Sequence, residues 1–178
     1  MKLSFETIQP TDFDQVDQVV TDAFAPVNES HGREVAFLHQ LRTTYDYQPS
    51  FEMVAKPDTE QVVAHGMLTP VTVRGDHHTT KILALAPLAV HPDWQAQGVG
   101  SRLLSELEVR ARLEGYPAIS VVGDSNYYGQ RGYVMAEEFS IHNSRMVPMG
   151  NHLIKPLTPG ALAHVGGMLE YPAAFDKI

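Results

Sequence analysis

The segment Gln95–Gly100, which reads QAQGVG, combines residue types that can bind an anion. It lies between the apolar run Lys81–Val90 and a stretch whose apolar residues recur with the period of a helix. Glycine inside a regular element costs roughly 0.5–1 kcal/mol relative to alanine, so Gly98 and Gly100 require a compensating role. The first amides of a helix have no intrahelical partner, and the helix dipole favours negative charge there. The segment therefore predicts a phosphate-bearing ligand. The alternative is a close turn that packs a helix on a sheet.

Two other phosphate-binding motifs do not fit this segment. A Walker A loop requires a Gly-Lys pair, and the sequence has none. A Rossmann fingerprint requires a third glycine in the first strand–helix unit, whereas the corresponding position here is Leu103, in the middle of the chain. A nucleotide-binding module of either type is therefore disfavoured.

The composition indicates a globular protein. The chain has 178 residues, of which 43% are hydrophobic and 19% charged, and this predicts one domain with a core of its own. A formal net charge of −8 argues against a general nucleic-acid surface, which is usually basic. The absence of cysteine excludes disulfides and thiolate catalysis.

The sequence contains no sign of a membrane segment or a secretion signal. Its start, MKLSFETIQPTDFDQV, has no apolar core of a signal peptide, and no apolar stretch approaches the ~20 residues of a membrane span. We therefore expect a cytoplasmic protein that does not contact a membrane.

Hydrophobic periodicity and turn residues divide the chain into alternating elements. Strands are expected at Leu3–Gln9, Ser50–Lys56, Gln61–Val73, Lys81–Val90 and Ala118–Gly123. Helices are expected at Phe13–Phe24, with an N-cap at Thr11-Asp12 and an end at Pro26, and at Gly32–Leu41 and Val99–Leu113. The segment Ser125–Tyr133 is predicted to be a loop with one or two helical turns, and strand pieces follow Phe139. This order indicates an α+β or mixed α/β fold whose sheet is not all parallel.

Two residues interrupt the predicted strands. Gly66 suggests a bulge, since glycine in a strand often marks one. Pro87 lies in the most apolar strand, where it removes a ladder hydrogen bond and implies a bulge or the end of pairing.

The segment LAVHPDWQAQGVGSRLLSELE resembles the acyl-CoA-binding segment of the GNAT superfamily of N-acyltransferases. Its Gln95, Gly98 and Gly100 match the family pattern Gln/Arg-x-x-Gly-x-Gly/Ala, and the later YYGQRGY matches the Tyr-x-x-x-Gly-Phe/Tyr element through Tyr128 and Gly132. The similarity extends from about Leu3 to Met135, and the tail resembles that of a bacterial branch of predicted N-acetyltransferases.

The resemblance implies a single domain over 1–178, with 139–178 as a strand-rich C-terminal extension. It also implies a mixed, mostly antiparallel sheet that is flanked by helices and splayed at the acyl-CoA-binding strand. Amides between Ala96 and Ser101 would bind the CoA pyrophosphate, and the backbone of Leu88 and Val90 would bind the pantetheine arm. The implied cofactor-binding residues are Leu88, Ala89, Val90, Gln95, Ala96, Gln97, Gly98, Val99, Gly100, Ser101 and Asn126.

Tyr128 matches the position of the family's general acid, which protonates the departing CoA thiolate. A phenol with a pKa near 10 suits a thiolate whose conjugate acid has a pKa near 8.5. The alternative is an aromatic packing residue with its hydroxyl at the rim of a pocket.

The general base stays unassigned. Glu52, His65 and His91 are candidates that could act directly or through water, although a histidine before a proline is as easily a turn residue. The adjacent His77 and His78 favour a solvated loop over a metal site, because neighbouring side chains on a strand point to opposite faces.

The sequence thus predicts an enzyme that transfers an acetyl group from acetyl-CoA to a primary amine of a small molecule, peptide or protein. The acceptor site is expected among the helices of Phe13–Leu41, the strand hairpin and the tail. A non-catalytic acyl-CoA sensor or regulatory protein is the alternative. A homodimer is expected if the C-terminal strands pair across an interface, but those strands could equally complete the chain's own sheet.

Overall fold

The computed structural model describes residues 2–26 and 32–177, and these form a mixed α/β fold. In the described residues the strands are β1 Leu3–Thr7, β2 Glu52–Pro57, β3 Ala64–Arg74, β4 Thr79–Val90, β5 Ala118–Val122, β6 Val134–Met135, β7 Ile141–Asn143, β8 His152–Pro156 and β9 Gly167–Glu170. The α-helices are α1 Phe13–Phe24, α2 Arg33–Arg42, α3 Val99–Leu113 and α4 Ser125–Gly129. The predicted alternation of strands and helices is therefore confirmed. Part of the predicted acceptor region, 27–31, lies outside the described residues.

The strands form one open sheet in the order β1-β2-β3-β4-β5-β8-β6, and β9 pairs with both β3 and β7. The pairs β1–β2, β2–β3, β3–β9, β5–β8 and β6–β8 are antiparallel, whereas β4–β5 and β7–β9 are parallel. The sheet is thus mostly antiparallel, as expected. None of the helices in the described part of the chain is long and apolar enough to cross a membrane.

The chain divides into two compact units. The first comprises the described parts of Met1–Thr69, Ala86–Leu107 and Ala173–Ile178. In it, β1 and β3 flank β2 in antiparallel register, with Glu52 opposite Met67. Helices α1 and α2 each bury an apolar stripe. The ring of Phe37 in α2 packs edge-on against Phe175 at 5.0 Å between centroids.

Gly66 forms no bulge in the pairing of β3 with β2. It lies opposite Met53 in the regular register of β2 with β3. A Cβ on Gly66 would lie 2.9 Å from Leu107 Cδ1 and 3.2 Å from Leu88 Cδ1. The glycine is therefore explained by the close approach of α3 and Leu88 to the strand.

The second unit comprises Pro70–Leu85 and Glu108–Pro172. In it, β8 pairs along the whole of β5, and β9 pairs with β3 through Val73 and Leu169. The C-terminal strand pieces therefore complete the chain's own sheet, which is the second of the two alternatives that the sequence left open. These strands are therefore already paired within the chain, and the homodimer stays a prediction.

The parallel pairing of β4 with β5 is short. In the described residues its register consists of Leu83 opposite Ile119 and Ala84 opposite Ser120, and β4 continues to Val90. The pairing thus precedes Pro87, in agreement with the interpretation of that proline as a residue near which the ladder stops.

Candidate functional site

The turn that precedes α3 is exposed and has an unusual backbone. Residues 95–98 are exposed, whereas Val99 and Gly100, which begin the helix, are buried. Ala96 has φ +57° and Gly98 has φ +78°, both in the left-handed region. A Cβ on Gly98 would meet no atom within 4 Å, so glycine serves the backbone conformation there and not a lack of space.

The start of α3 can accept an anion. Its first i→i−4 hydrogen bond runs from the Arg102 N–H to the Gly98 carbonyl at 3.0 Å, so the amides of Val99 and Gly100 precede the helical ladder. The first turn of α3 contains no acidic residue that would oppose a negative ligand. The helix dipole adds positive potential at the same point.

Two glutamine side chains fasten this turn. Gln95 Nε2 donates to the Val90 carbonyl at 3.0 Å, and Gln97 Nε2 donates to the Asp93 carbonyl at 2.8 Å. Both glutamine side chains therefore stabilise the loop through hydrogen bonds to its own backbone. The sequence motif identified Gln95 as part of a binding segment, but only the structure shows that its side chain holds the end of β4 to the turn.

The end of β4 carries the other predicted cofactor residues of the first unit. Leu88 and Val90 are half-buried, and Ala89 between them is buried, as the alternation of a strand requires. The His91 N–H donates to the Val63 carbonyl at 2.9 Å, which fixes the point where β4 ends. The predicted residues Leu88–Val90 and Gln95–Ser101 are therefore joined by one short, internally hydrogen-bonded connection.

The predicted residues Asn126 and Tyr128 lie in the second unit, on α4. The Asp124 carboxylate accepts from the Asn126 N–H at 2.9 Å and caps this short helix. Asn126 is exposed and Tyr128 is half-buried. The helical turn that the sequence predicted within Ser125–Tyr133 is confirmed.

The Tyr128 ring is enclosed by aromatic neighbours. It meets the Tyr127 ring edge-on at 4.9 Å and the Tyr133 ring at 5.5 Å between centroids. Burial raises the pKa of Tyr128 well above its usual value of 10, the neighbouring Tyr127 raises it further, and Arg131 opposes the shift. The hydroxyl is therefore protonated at neutral pH.

Two of the candidate bases are not accessible. The side chains of Glu52 and His65 are fully buried, and His65 Nε2 lies 2.8 Å from Glu52 Oε1. The same carboxylate accepts from Arg42 at 2.6 Å and from the Tyr47 hydroxyl at 2.7 Å. These hydrogen bonds outweigh the effect of burial, which acts in the opposite direction, and lower the pKa of Glu52 to about 2. Glu52 is thus a paired anion inside the first unit, and the structure does not support it as a base.

His91 is a turn residue. The Asp93 N–H donates to His91 Nδ1 at 3.3 Å, so the imidazole caps the turn that follows β4. His91 Nε2 lies 3.7 Å from an Asp22 carboxylate oxygen. These contacts fit the interpretation of His91 as a turn residue better than its interpretation as a general base.

The adjacent histidines His77 and His78 lie in the connection between β3 and β4. His78 Nε2 lies 2.7 Å from the His164 carbonyl, and both histidines of the pair are exposed. Among the described residues, no group of three or more histidine, aspartate or glutamate side chains is arranged to hold a metal ion.

The open, mostly antiparallel sheet and the glycine turn before α3 define an acyltransferase of the GNAT type. The chain matches the model of the acetyltransferase (GNAT) family over residues 14–133 and belongs to that family. The sequence-based assignment to this family of N-acetyltransferase enzymes is therefore confirmed. One relative is an uncharacterized N-acetyltransferase of Escherichia coli K12, YjhQ, which is 28% identical over 130 residues, covering 73% of this chain and 68% of YjhQ.

Two solved structures share the fold over nearly the whole chain. The N-acetyltransferase YhbS of Escherichia coli, determined in complex with CoA, superposes with a TM-score of 0.85 at 24% identity and covers 100% of this chain and 94% of its own. A GNAT family acetyltransferase of Brucella melitensis, in complex with acetyl-CoA, gives a TM-score of 0.79 at 25% identity and covers 98% of this chain and 99% of its own. The ligands of these neighbours are consistent with acetyl-CoA as the acyl donor.

Proposed function

We propose that this protein transfers the acetyl group of acetyl-CoA to a primary amine of a small molecule, peptide or protein in the cytoplasm. The observation that carries the proposal is the turn before α3. In this turn Gly98 has a left-handed backbone, and the amides of the residues after it precede the first hydrogen bond of the helix. The chain also belongs to the GNAT acetyltransferase family and has its fold. Such a turn suits a pyrophosphate, because it combines amide donors with the positive end of a helix dipole.

The donor would be held by backbone groups in the first unit. Amides from Ala96 to Ser101 would bind the pyrophosphate, and the strand end Leu88–Val90 would run beside the pantetheine arm. The Leu88 N–H would donate to the thioester oxygen as negative charge develops on it, an oxyanion-type contact. Asn126 would bind the pantetheine. The short register of β4 with β5 supports this arrangement, since it leaves the end of β4 outside that pairing.

The reaction would be a direct attack. The neutral amine nitrogen adds to the thioester carbonyl carbon, the C–S bond breaks, and the electron pair of that bond stays on sulfur. Tyr128 donates its hydroxyl proton to the sulfur, the ammonium nitrogen formed by the attack loses a proton to solvent, and Tyr128 regains a proton from solvent. The raised pKa of Tyr128 keeps the hydroxyl protonated before the reaction but makes proton donation to the thiolate harder, so the role is supported by the match of Tyr128 to the family position and not by the shift.

The test is thiol release from acetyl-CoA in the presence of a panel of amines, amino acids, polyamines, aminoglycosides and peptides. CoA binding is measured in parallel by calorimetry. We expect one amine class to stimulate release, and we expect Tyr128→Phe to lower kcat by about 10²–10⁴-fold while CoA still binds. Tight CoA binding without release across the panel would favour the acyl-CoA sensor instead. No CoA binding would overturn the proposal.

A further inference from the structure

Gly123 follows the last residue of β5 and faces the ring of Tyr128. A Cβ built on Gly123 would lie 2.6 Å from Tyr128 Cε2, 3.2 Å from Cδ2 and 3.7 Å from Cζ, the carbon that bears the hydroxyl. Side-chain carbons do not approach one another to 2.6 Å, so any larger residue at 123 must displace the ring.

The backbone of Gly123 does not itself require glycine. Its φ lies outside the left-handed region that the chain's other turn glycines, such as Gly98 and Gly132, occupy. Alanine would therefore be acceptable to the backbone at this position, and the Tyr128 ring is what excludes it.

The ring has little room to move away from Gly123. The rings of Tyr127 and Tyr133 meet it edge-on, and Tyr133 is buried beside Lys155, whose Nζ lies 5.6 Å from the Tyr133 ring centroid. Lys155 is itself paired with Glu108 at 2.6 Å. A displacement of Tyr128 would thus have to move a packed aromatic cluster.

The main chain at Gly123 and at Tyr128 is also held in place by hydrogen bonds. The Gly123 N–H donates to the Asn151 carbonyl at 2.9 Å, and the Tyr128 N–H donates to the Asp124 carbonyl at 3.0 Å. The Tyr128 carbonyl accepts from the Tyr133 N–H at 3.2 Å. Because the main chain on both sides of the contact is hydrogen-bonded, it cannot easily separate to admit a methyl group.

We infer that Gly123 is a positioning residue that sets the place of the Tyr128 hydroxyl for proton donation to CoA. This inference rests on the proposed function and deepens it. An alanine at 123 would have to push the ring edge by roughly 0.8 Å to reach ordinary contact, and a misplacement of about 1 Å can lower a rate by about 10²-fold.

The primary experiment is a double-mutant cycle on thiol release from acetyl-CoA with the best amine of the panel. We expect Gly123→Ala to lower kcat by about 10–100-fold with the KM for acetyl-CoA within about twofold of wild type. In the Tyr128→Phe background the same change should alter kcat by less than about twofold, because no hydroxyl is left to misplace. Gly129→Ala is the matched control, since a Cβ there meets no atom within 4 Å and its φ is not left-handed.

A second readout does not depend on turnover. The seven tyrosines can be labelled with 3-fluorotyrosine, and the Tyr128 resonance is assigned by its loss in Tyr128→Phe. We expect Gly123→Ala to shift the ¹⁹F resonance of Tyr128 and Gly129→Ala to leave it in place. If Gly123→Ala does not fold, the contact predicts that adding Tyr128→Ala, which removes the ring, restores folding.

The outcomes separate the two proposals. Wild-type kcat in Gly123→Ala, an unmoved Tyr128 resonance, or an equal loss of kcat in the Tyr128→Phe background would each overturn the positioning role. Full turnover by Tyr128→Phe would instead overturn the general-acid assignment, and the positioning role would fall with it. Loss of turnover in Tyr128→Phe together with full turnover in Gly123→Ala would leave the general acid standing and remove only the role of Gly123.

Discussion

His65 Nε2 lies 2.8 Å from Glu52 Oε1, and both side chains are fully buried in the first unit. The carboxylate also holds Arg42, the last residue of α2, and Tyr47, which follows that helix. A single buried charge thus fastens α2 and the segment after it to strands β2 and β3. A buried anion of this kind is tolerated only because its partners are in place.

Removing this charge should destabilise the fold. Glu52→Gln leaves Arg42 without its counterion at a site where the Arg42 side chain is only 10% exposed, so we expect the free energy of unfolding to fall by about 3–5 kcal/mol. Urea denaturation measures this change. Glu170→Gln is the control, because the Arg74–Glu170 pair has similar bidentate geometry but lies on the surface, and its loss should leave stability near that of wild type. Equal losses of unfolding free energy in both variants would contradict the view that the buried Glu52 carboxylate stabilises the fold.

The Glu52 carboxylate should also make the free energy of unfolding depend on pH in the acidic range. The pKa of Glu52 is lowered to about 2 in the folded chain from its usual 4.5, so the unfolded chain binds the proton first as pH falls. The contribution of Glu52 is therefore complete above about pH 4.5 and is lost as pH falls from there towards 2. Urea denaturation at pH 6 and pH 3 should show a larger loss in wild type than in Glu52→Gln. Parallel loss in both proteins would argue against the assignment.

His152 should affect stability in a higher pH range. It is buried, its Nε2 lies 3.0 Å from Ser120 Oγ, and burial lowers its pKa below the usual 6.5, with His142 acting in the same direction and Glu137 opposing it. Since the unfolded chain protonates first, the contribution of His152 is present above about pH 6.5 and declines as pH falls through that value. We expect His152→Gln to flatten the stability profile between about pH 7 and 5.

The exposed His77 provides the comparison for that profile. His77→Gln is the matched control for the substitution itself, because it makes the same change at an exposed position. The interpretation of His152 fails if the slope is unchanged in His152→Gln.

Replacing Gly98 should weaken CoA binding more than the accompanying loss of stability can explain. Gly98→Ala forces a side chain into φ +78°, a strain of about 1–2 kcal/mol that shifts the turn and its amides. We expect the Kd for CoA to rise by about tenfold or more, measured by calorimetry. Gly160→Ala is the matched control, with φ +74° and equally open space, and should cost similar stability without weakening CoA binding. Equal Kd values for the two variants would remove the turn from the site.

The glycine turn and the tyrosine loop were predictable from the sequence because their signals are local. Gln95, Gly98 and Gly100 lie within six residues, and helix α3 was predicted with the bounds Val99–Leu113 that the structure has. The helical turn around Tyr128 was equally evident from its own neighbours. Short-range patterns of this kind depend on backbone preferences and on the period of one element.

Only the tertiary structure decided the roles of Glu52, Gly66 and Gly123. Glu52 was a candidate base until its partners were found on α2, on the segment after it and on β3. Gly66 indicated a bulge until α3 was seen to lie against it, and the sequence did not single out Gly123 at all. Whether a carboxylate is exposed or paired, and what a missing Cβ makes room for, depends on residues distant in the chain. That information exists only once the strands have their order and register.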